Sequence, residues 1–117
     1  MNKRRTEIAS MYTESLKEME QIKTPPMDND IYKSSWHIYC LQCKNRDELS
    51  VFLKDNGINT GVHYNPIHLY SCYGNTPSLP VAESLSRKIL SLPMYPQLAN
   101  EEVMKIIDLI KKFYKRH

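Results

Sequence analysis

From Asn100 onward the apolar residues Val103, Ile106, Ile107, Ile110 and Phe113 recur at spacings of three and four, and this stripe constrains the fold more than any other feature. Such spacing puts all five side chains on one face of a helix, and so apolar a face must be covered by another surface. Asn100-Glu101-Glu102 is the expected cap and acidic first turn, while Lys111, Lys112 and Lys115 suit the negative end of the helix dipole. The covering surface has to come from elsewhere in a chain of 117 residues, a length that fits one domain with a modest core.

The rest of the sequence supplies candidates for that surface. Ile8, Met11, Tyr12, Leu16 and Met19 lie about three or four apart, which predicts an amphipathic helix from Lys3 to Glu20. Thr24-Pro25-Pro26 ends it, because proline cannot continue a helix and pushes its predecessor toward extended geometry. Trp36 to Cys43 is rich in aromatic and branched residues and reads as a strand. A second helix follows, with Asn45 as N-cap, Asp47 and Glu48 in its first turn, and Leu49, Phe52 and Leu53 buried. Asn56-Gly57 is its expected C-terminal stop, since glycine tolerates the left-handed conformation that closes many helices. Asn59 to His63 reads as a short extended piece, turned by Tyr64-Asn65-Pro66. Pro80 is expected to open a third helix running through Ile89, followed by a short strand at Leu90-Ser91-Leu92. Helices thus alternate with short strands, the pattern of a two-layer α+β domain: a short sheet with helices packed on one face.

Charge and composition remove several function classes. The net charge of +3 is too mild to argue for nucleic acid, and the basic runs Lys3-Arg4-Arg5 and Lys111-Lys112 read as solvated helix ends. No apolar run approaches the roughly 20 residues of a membrane span. The basic start leads into polar Thr6-Glu7 and not an apolar signal core, so the expected location is cytoplasmic. Three cysteines, an odd number, fit reduced thiols better than a disulfide framework. Cys40 and Cys43 form a C-x-x-C, but positions three apart on a strand face opposite sides of a sheet, which argues against a metal-binding pair.

Several stretches carry a resemblance. Arg5-Thr6-Glu7-Ile8-Ala9 with Tyr12 and Leu16, Trp36-His37-Ile38-Tyr39, Arg46-Asp47-Glu48-Leu49, Gly57 through Leu69, and Leu90 through Pro96 stand in order and at compatible spacing. Together they resemble the C-terminal small domain of the DegT/DnrJ/EryC1/StrS family of pyridoxal-phosphate-dependent sugar aminotransferases. The resemblance implies the small domain of a fold-type I aminotransferase, with residues 1–24 as a helix connecting to the large domain and residues 25–117 as the small α+β domain. It implies amino transfer from glutamate to a nucleotide-linked keto-sugar in the complete enzyme. The Schiff-base lysine and the other cofactor-holding groups would lie in the large domain, upstream of Met1, so this chain alone is expected to hold no cofactor and no catalytic residue. A buried lysine with a lowered pKa is what imine chemistry requires, and the lysines here fall on helix faces and ends.

The matching residues expected to face the sugar side of the cleft are His63, Tyr64 and His68. Each offers a rigid ring with one or two polar atoms for hydroxyls or phosphates, although the same groups can equally brace a turn. Expected partners are a large-domain chain, a second copy of this chain in a homodimer, and a nucleotide-sugar substrate only in the complete enzyme; neither nucleic acid nor membrane is expected. A large-domain-facing surface should be apolar, with Met11, Met19, Met27 and Met94 as candidates. Two further readings stay open: a folded remnant without catalysis, and a small binding module that reuses the fold.

Overall fold

A computed structural model describes residues 2–24, 39–62 and 87–116. These residues form α1 (Asn2–Leu16), β1 (Ile22–Lys23), β2 (Tyr39–Cys43), α2 (Arg46–Asp55), β3 (Gly61–Val62), β4 (Ile89–Leu92) and α3 (Asn100–Arg116). The four strands make one sheet in the order β1-β2-β4-β3, and every pairing is antiparallel.

The centre of the sheet is the β2–β4 pair, in which Tyr39 stands opposite Leu92 and Leu41 opposite Leu90. Side chains alternate across a strand, so these four residues, with Cys43, form one apolar face. That face shares a single core with Ile8, Ala9, Tyr12 and Leu16 of α1, Leu49 and Leu53 of α2, and the whole predicted stripe of α3. The result is the expected two-layer arrangement, with the described helices on one side of the sheet. The other side presents Cys40, Gln42, Ile89 and Ser91, of which Cys40 and Ile89 are also buried.

Several boundaries differ from those read in the sequence. The first helix stops at Leu16 and not Glu20, because the chain turns there to deliver Ile22 opposite Cys43 as a fourth, edge strand. The turn is closed by hydrogen bonds from Lys17 N to Thr13 O (2.9 Å) and from Ile22 N to Met19 O (3.2 Å). Residues 36–38 and 80–86, parts of a predicted strand and helix, lie outside the described residues. Ile89 belongs to β4 and not to the preceding helix, since its partner Gln42 extends the β2 ladder by one pair. At the last helix the capping residue is Ala99, whose N–H donates to Glu102 Oε1 (3.3 Å), while Asn100 is the first helical residue. The sequence expected reduced thiols, and this fails for Cys40, which is disulfide-bonded, whereas Cys43 is free and buried. An odd cysteine count excludes complete pairing but not one bond.

α1 is tied into the core by more than its apolar stripe. Thr13 Oγ1 and the Tyr39 hydroxyl share a buried hydrogen bond of 2.6 Å, and Tyr12 donates its hydroxyl to Pro93 O at 2.7 Å. The two tyrosine rings pack with centroids 5.0 Å apart. On the other side of the core, the Tyr114 hydroxyl donates to Lys44 O at 2.7 Å. Burial raises the pKa of all three phenols above their ordinary 10.0. Burial also pushes the Cys43 thiol up to about 12 from 9.0, against smaller opposing effects of a Tyr114 hydrogen bond and the Arg46 charge.

α2 ends as the sequence predicted. Gly57 is left-handed (φ +85°), its N–H donates to Lys54 O (3.0 Å), and Ile58 N–H reaches back to Leu53 O (2.9 Å). This paired bond pattern satisfies two carbonyls of the last turn, and Ile58 packs against the core beyond it. A Cβ on Gly57 would meet nothing within 4 Å, so only the backbone conformation opposes substitution. Gly57→Ala is therefore expected to destabilise the fold by about 1 kcal/mol in urea unfolding, with an unchanged m-value.

The buried acids set a second expectation. Their folded pKa values lie above the unfolded ones, so the folded state holds protons that the unfolded chain releases. Stability is then complete below pH 9.0 and is lost as the pH rises toward 12. Melting temperatures measured from about pH 8 to about pH 11 should fall from the thiol value upward, and Cys43→Val should move the onset to about pH 10, where the phenols take over.

Candidate functional site

Two of the stretches that carry the resemblance meet in space. β3 pairs with β4, so that Gly61 faces Ser91 and Val62 faces Leu90, and Ser91 Oγ donates to Gly61 O at 3.4 Å. The chain entering β3 is steadied by Ser50 Oγ and Thr60 Oγ1 at 3.1 Å. His63, Tyr64 and His68 follow β3 directly and lie outside the described residues. What is described is the strand that leads to them, held at the sheet edge beside Leu90.

The same two stretches also enclose a cleft of about 270 Å³ between the turn after α2, the segment leaving β4 and the first turns of α3. Ile58, Pro93, Leu98 and Ile106 supply apolar walls, with Leu98 and Ile106 buried. Asn59, Tyr95, Glu102 and Lys105 form a polar rim, and Tyr95 is 49% exposed. The glycine turn aims Ile58 and Asn59 into place, while Pro93 redirects the chain out of the sheet. A turn from Tyr95 O to Leu98 N (3.0 Å) then brings Leu98 beneath α3. Arg4 of α1 holds Leu98 in place, donating Nη2 to Leu98 O and pairing with Glu7 at 3.3 Å. Tyr12 lies behind Pro93; its phenol is kept neutral by burial first, and by the neighbouring Tyr39 and Tyr95 second. This arrangement can hold a small ring or side chain by contact and hydrogen bonding.

Other sequence candidates resolve differently. Met94 is buried in the core and does not contribute to an exposed surface, Met11 and Met19 are half-buried against it, and Met27 lies outside the described residues. Among the described residues the exposed large apolar ones are Val51, Tyr95 and Met104, two of them on helices. Every described lysine is exposed, so none has the desolvated setting a Schiff base requires. Among the described residues no group of three or more His, Cys, Asp or Glu could hold a metal ion, and none of the helices is long and apolar enough to cross a membrane.

Known proteins share both this sequence and this fold. The chain is 42% identical over 115 residues to the erythromycin biosynthesis sensory transduction protein EryC1 of Saccharopolyspora erythraea, covering 94% of this chain and 31% of that protein. It is 36% identical to the dTDP-3-amino-3,4,6-trideoxy-alpha-D-glucose transaminase of Streptomyces venezuelae, over 98% of this chain and 31% of that one. The crystal structure of a DegT DnrJ EryC1 StrS aminotransferase from Brucella abortus superposes with a TM-score of 0.76 at 38% identity, covering 96% of this chain and 31% of that one. The chain therefore spans about a third of the length of the relatives it matches. With the family's sequence pattern matched from residue 1 to residue 111, the chain belongs to the DegT/DnrJ/EryC1/StrS aminotransferase family.

Proposed function

We propose that this chain is the C-terminal small-domain part of a pyridoxal-phosphate-dependent aminotransferase that moves an amino group from glutamate to a nucleotide-linked keto-sugar. The observation that carries the reading is the family match over residues 1–111 combined with coverage of only 31% of the relatives. A relative named for a dTDP-amino-sugar supports the substrate class. When bound, pyridoxal phosphate supplies an electron sink for the amino-transfer step. The described residues do not fit it, because their lysines are all exposed, so it belongs to the complete enzyme and not to this chain.

In that enzyme His63, Tyr64 and His68 contact the sugar or its phosphates, and the pairing of β3 with β4, which ends at Val62 just before His63, supports the reading. Residues 1–24 lead to the large domain, while the α1 stripe Ile8, Ala9, Tyr12 and Leu16 also belongs to the core of the small domain. The large domain is supplied by a partner polypeptide, with a second copy of the chain completing a dimer. A cytoplasmic setting belongs to the same proposal, since nucleotide-linked sugars and the amino-acid donor are both at hand there.

The isolated chain should not aminate a keto-sugar when pyridoxal phosphate and glutamate are added, because one side of a cleft cannot hold cofactor and substrate in register. Pull-down of the tagged chain from its host lysate should recover a longer polypeptide that carries pyridoxal phosphate, identified by mass and by cofactor absorbance. In the reconstituted enzyme, His63→Ala and Tyr64→Phe should each raise KM for the keto-sugar several-fold, by loss of one hydrogen bond. Recovery of no such polypeptide would identify the chain as a folded remnant of the family.

A further inference from the structure

A second concavity, apart from the cleft beside Tyr95, gathers positive charge. Three separate segments converge on it: the end of α1's turn into β1, the corner between β2 and α2, and the turn before β4. They bring Lys23, Lys44, Arg87 and Lys88 around a hollow of about 410 Å³, with Glu20 as its one carboxylate. All four cations are exposed, and none forms an ion pair with a described residue. The excess of three positive charges equals the formal net charge of the whole chain. Like charges held this close repel one another, and a bound polyanion relieves the repulsion.

The hollow is rigidly framed. Cys43 N–H donates to Lys88 O (2.8 Å), Lys44 N–H donates to Gln21 O (3.0 Å), and Tyr114 holds Lys44 O from behind. On α2, Asp47 pairs with Arg46 at 2.7 Å, and no acid of that helix lines the hollow. Asn45, on the rim, is left-handed (φ 55°) and makes no side-chain cap bond, so its amide remains available to a ligand.

We propose that this concavity binds a diphosphate group. A hollow of this volume is on the scale of a small-ligand site. The cations cluster around one hollow and do not run as a stripe, which fits a compact polyanion better than a nucleic-acid strand. Free pyrophosphate and the diphosphate of a nucleotide present the same chemistry here. The site is distinct from the cleft beside Tyr95 and does not depend on the aminotransferase reading.

The test is a nitrogen-15 NMR titration of the whole chain with pyrophosphate at low ionic strength, repeated with thymidine diphosphate. Saturable shifts are expected at the amides of Lys23, Lys44, Asn45 and Lys88. Lys44→Gln with Arg87→Gln should weaken binding about tenfold, whereas Lys111→Gln with Lys112→Gln, an equal loss of charge on α3, should leave it unchanged. Tighter binding of thymidine diphosphate would identify the nucleotide as the source, and equal binding would identify the diphosphate alone. Shifts that never saturate, or equal weakening by both pairs of substitutions, would overturn the proposal. The Lys23→Gln variant, alone on an edge strand, gives the same readout if the double variant unfolds.

Discussion

Tyr39 against Leu92 and Leu41 against Leu90 decide which face of the sheet is apolar, and all three described helices lie on that face. A slip of one residue between β2 and β4 would turn Cys40 and Gln42 toward the helices and expose the tyrosine and leucine. The register is therefore fixed by the core it serves, and other contacts depend on it. The Thr13 bond to the Tyr39 hydroxyl exists only when Tyr39 faces α1. Cys43 reaches Lys88 O only because Gln42 already faces Ile89. β3 in turn borrows its position from β4, so the segment entering His63 is set by the same pairing.

The helices were legible because their periodicity is long enough to register. The stripe on α3 runs over about three turns, and each predicted member is buried. α2 was marked at both ends, although Asn45 performs its role by backbone alone: its carbonyl accepts from Leu49 N at 3.0 Å while its side chain makes no cap bond. The two-residue β1 leaves no such trace, whereas β3 falls within the extended piece read from Asn59 to His63. Ile22–Lys23 carries no alternation that a reader could detect, and it forms because Cys43 and Gln42 offer an unpaired ladder. The same tertiary pull ends α1 at Leu16, where local preference would have continued to Glu20.

The candidate sites differ in legibility for a related reason. Gly57 to Leu69 and Leu90 to Pro96 were recognisable as stretches of sequence, and the pairing of β3 with β4 explains why they belong together. The cleft beneath Tyr95 also draws on Glu102 and Lys105 of α3, which local sequence could not assign to it. The basic hollow was still less visible. Its cations are scattered singly or in pairs along the chain, while the conspicuous basic runs at the two ends drew the eye as helix termini.

Folding and amino transfer make different demands on such a chain. A core needs only a continuous set of apolar contacts, and residues of α1, α2, α3 and both central strands supply it without outside help. Amino transfer needs a desolvated lysine, a fixed cofactor and a substrate carbon held together, and the position of each must be fixed relative to the others. Among the described residues the buried polar groups include the Tyr12, Tyr39 and Tyr114 phenols, the Thr13 hydroxyl, the Cys43 thiol and the Arg46 guanidinium, together with Arg5 Nε, which has no hydrogen-bond partner. Thr13, the three phenols and Arg46 are bonded to backbone carbonyls or to one another, with Asp47 also on Arg46, and the thiol has Tyr114 beside it. All of these but Arg5 Nε are committed to holding the fold. Apart from that atom, the polar groups that the described fold leaves uncommitted lie at the surface, on the rim of the cleft and around the basic hollow. A domain built this way is suited to bind and position and not to supply the reacting groups.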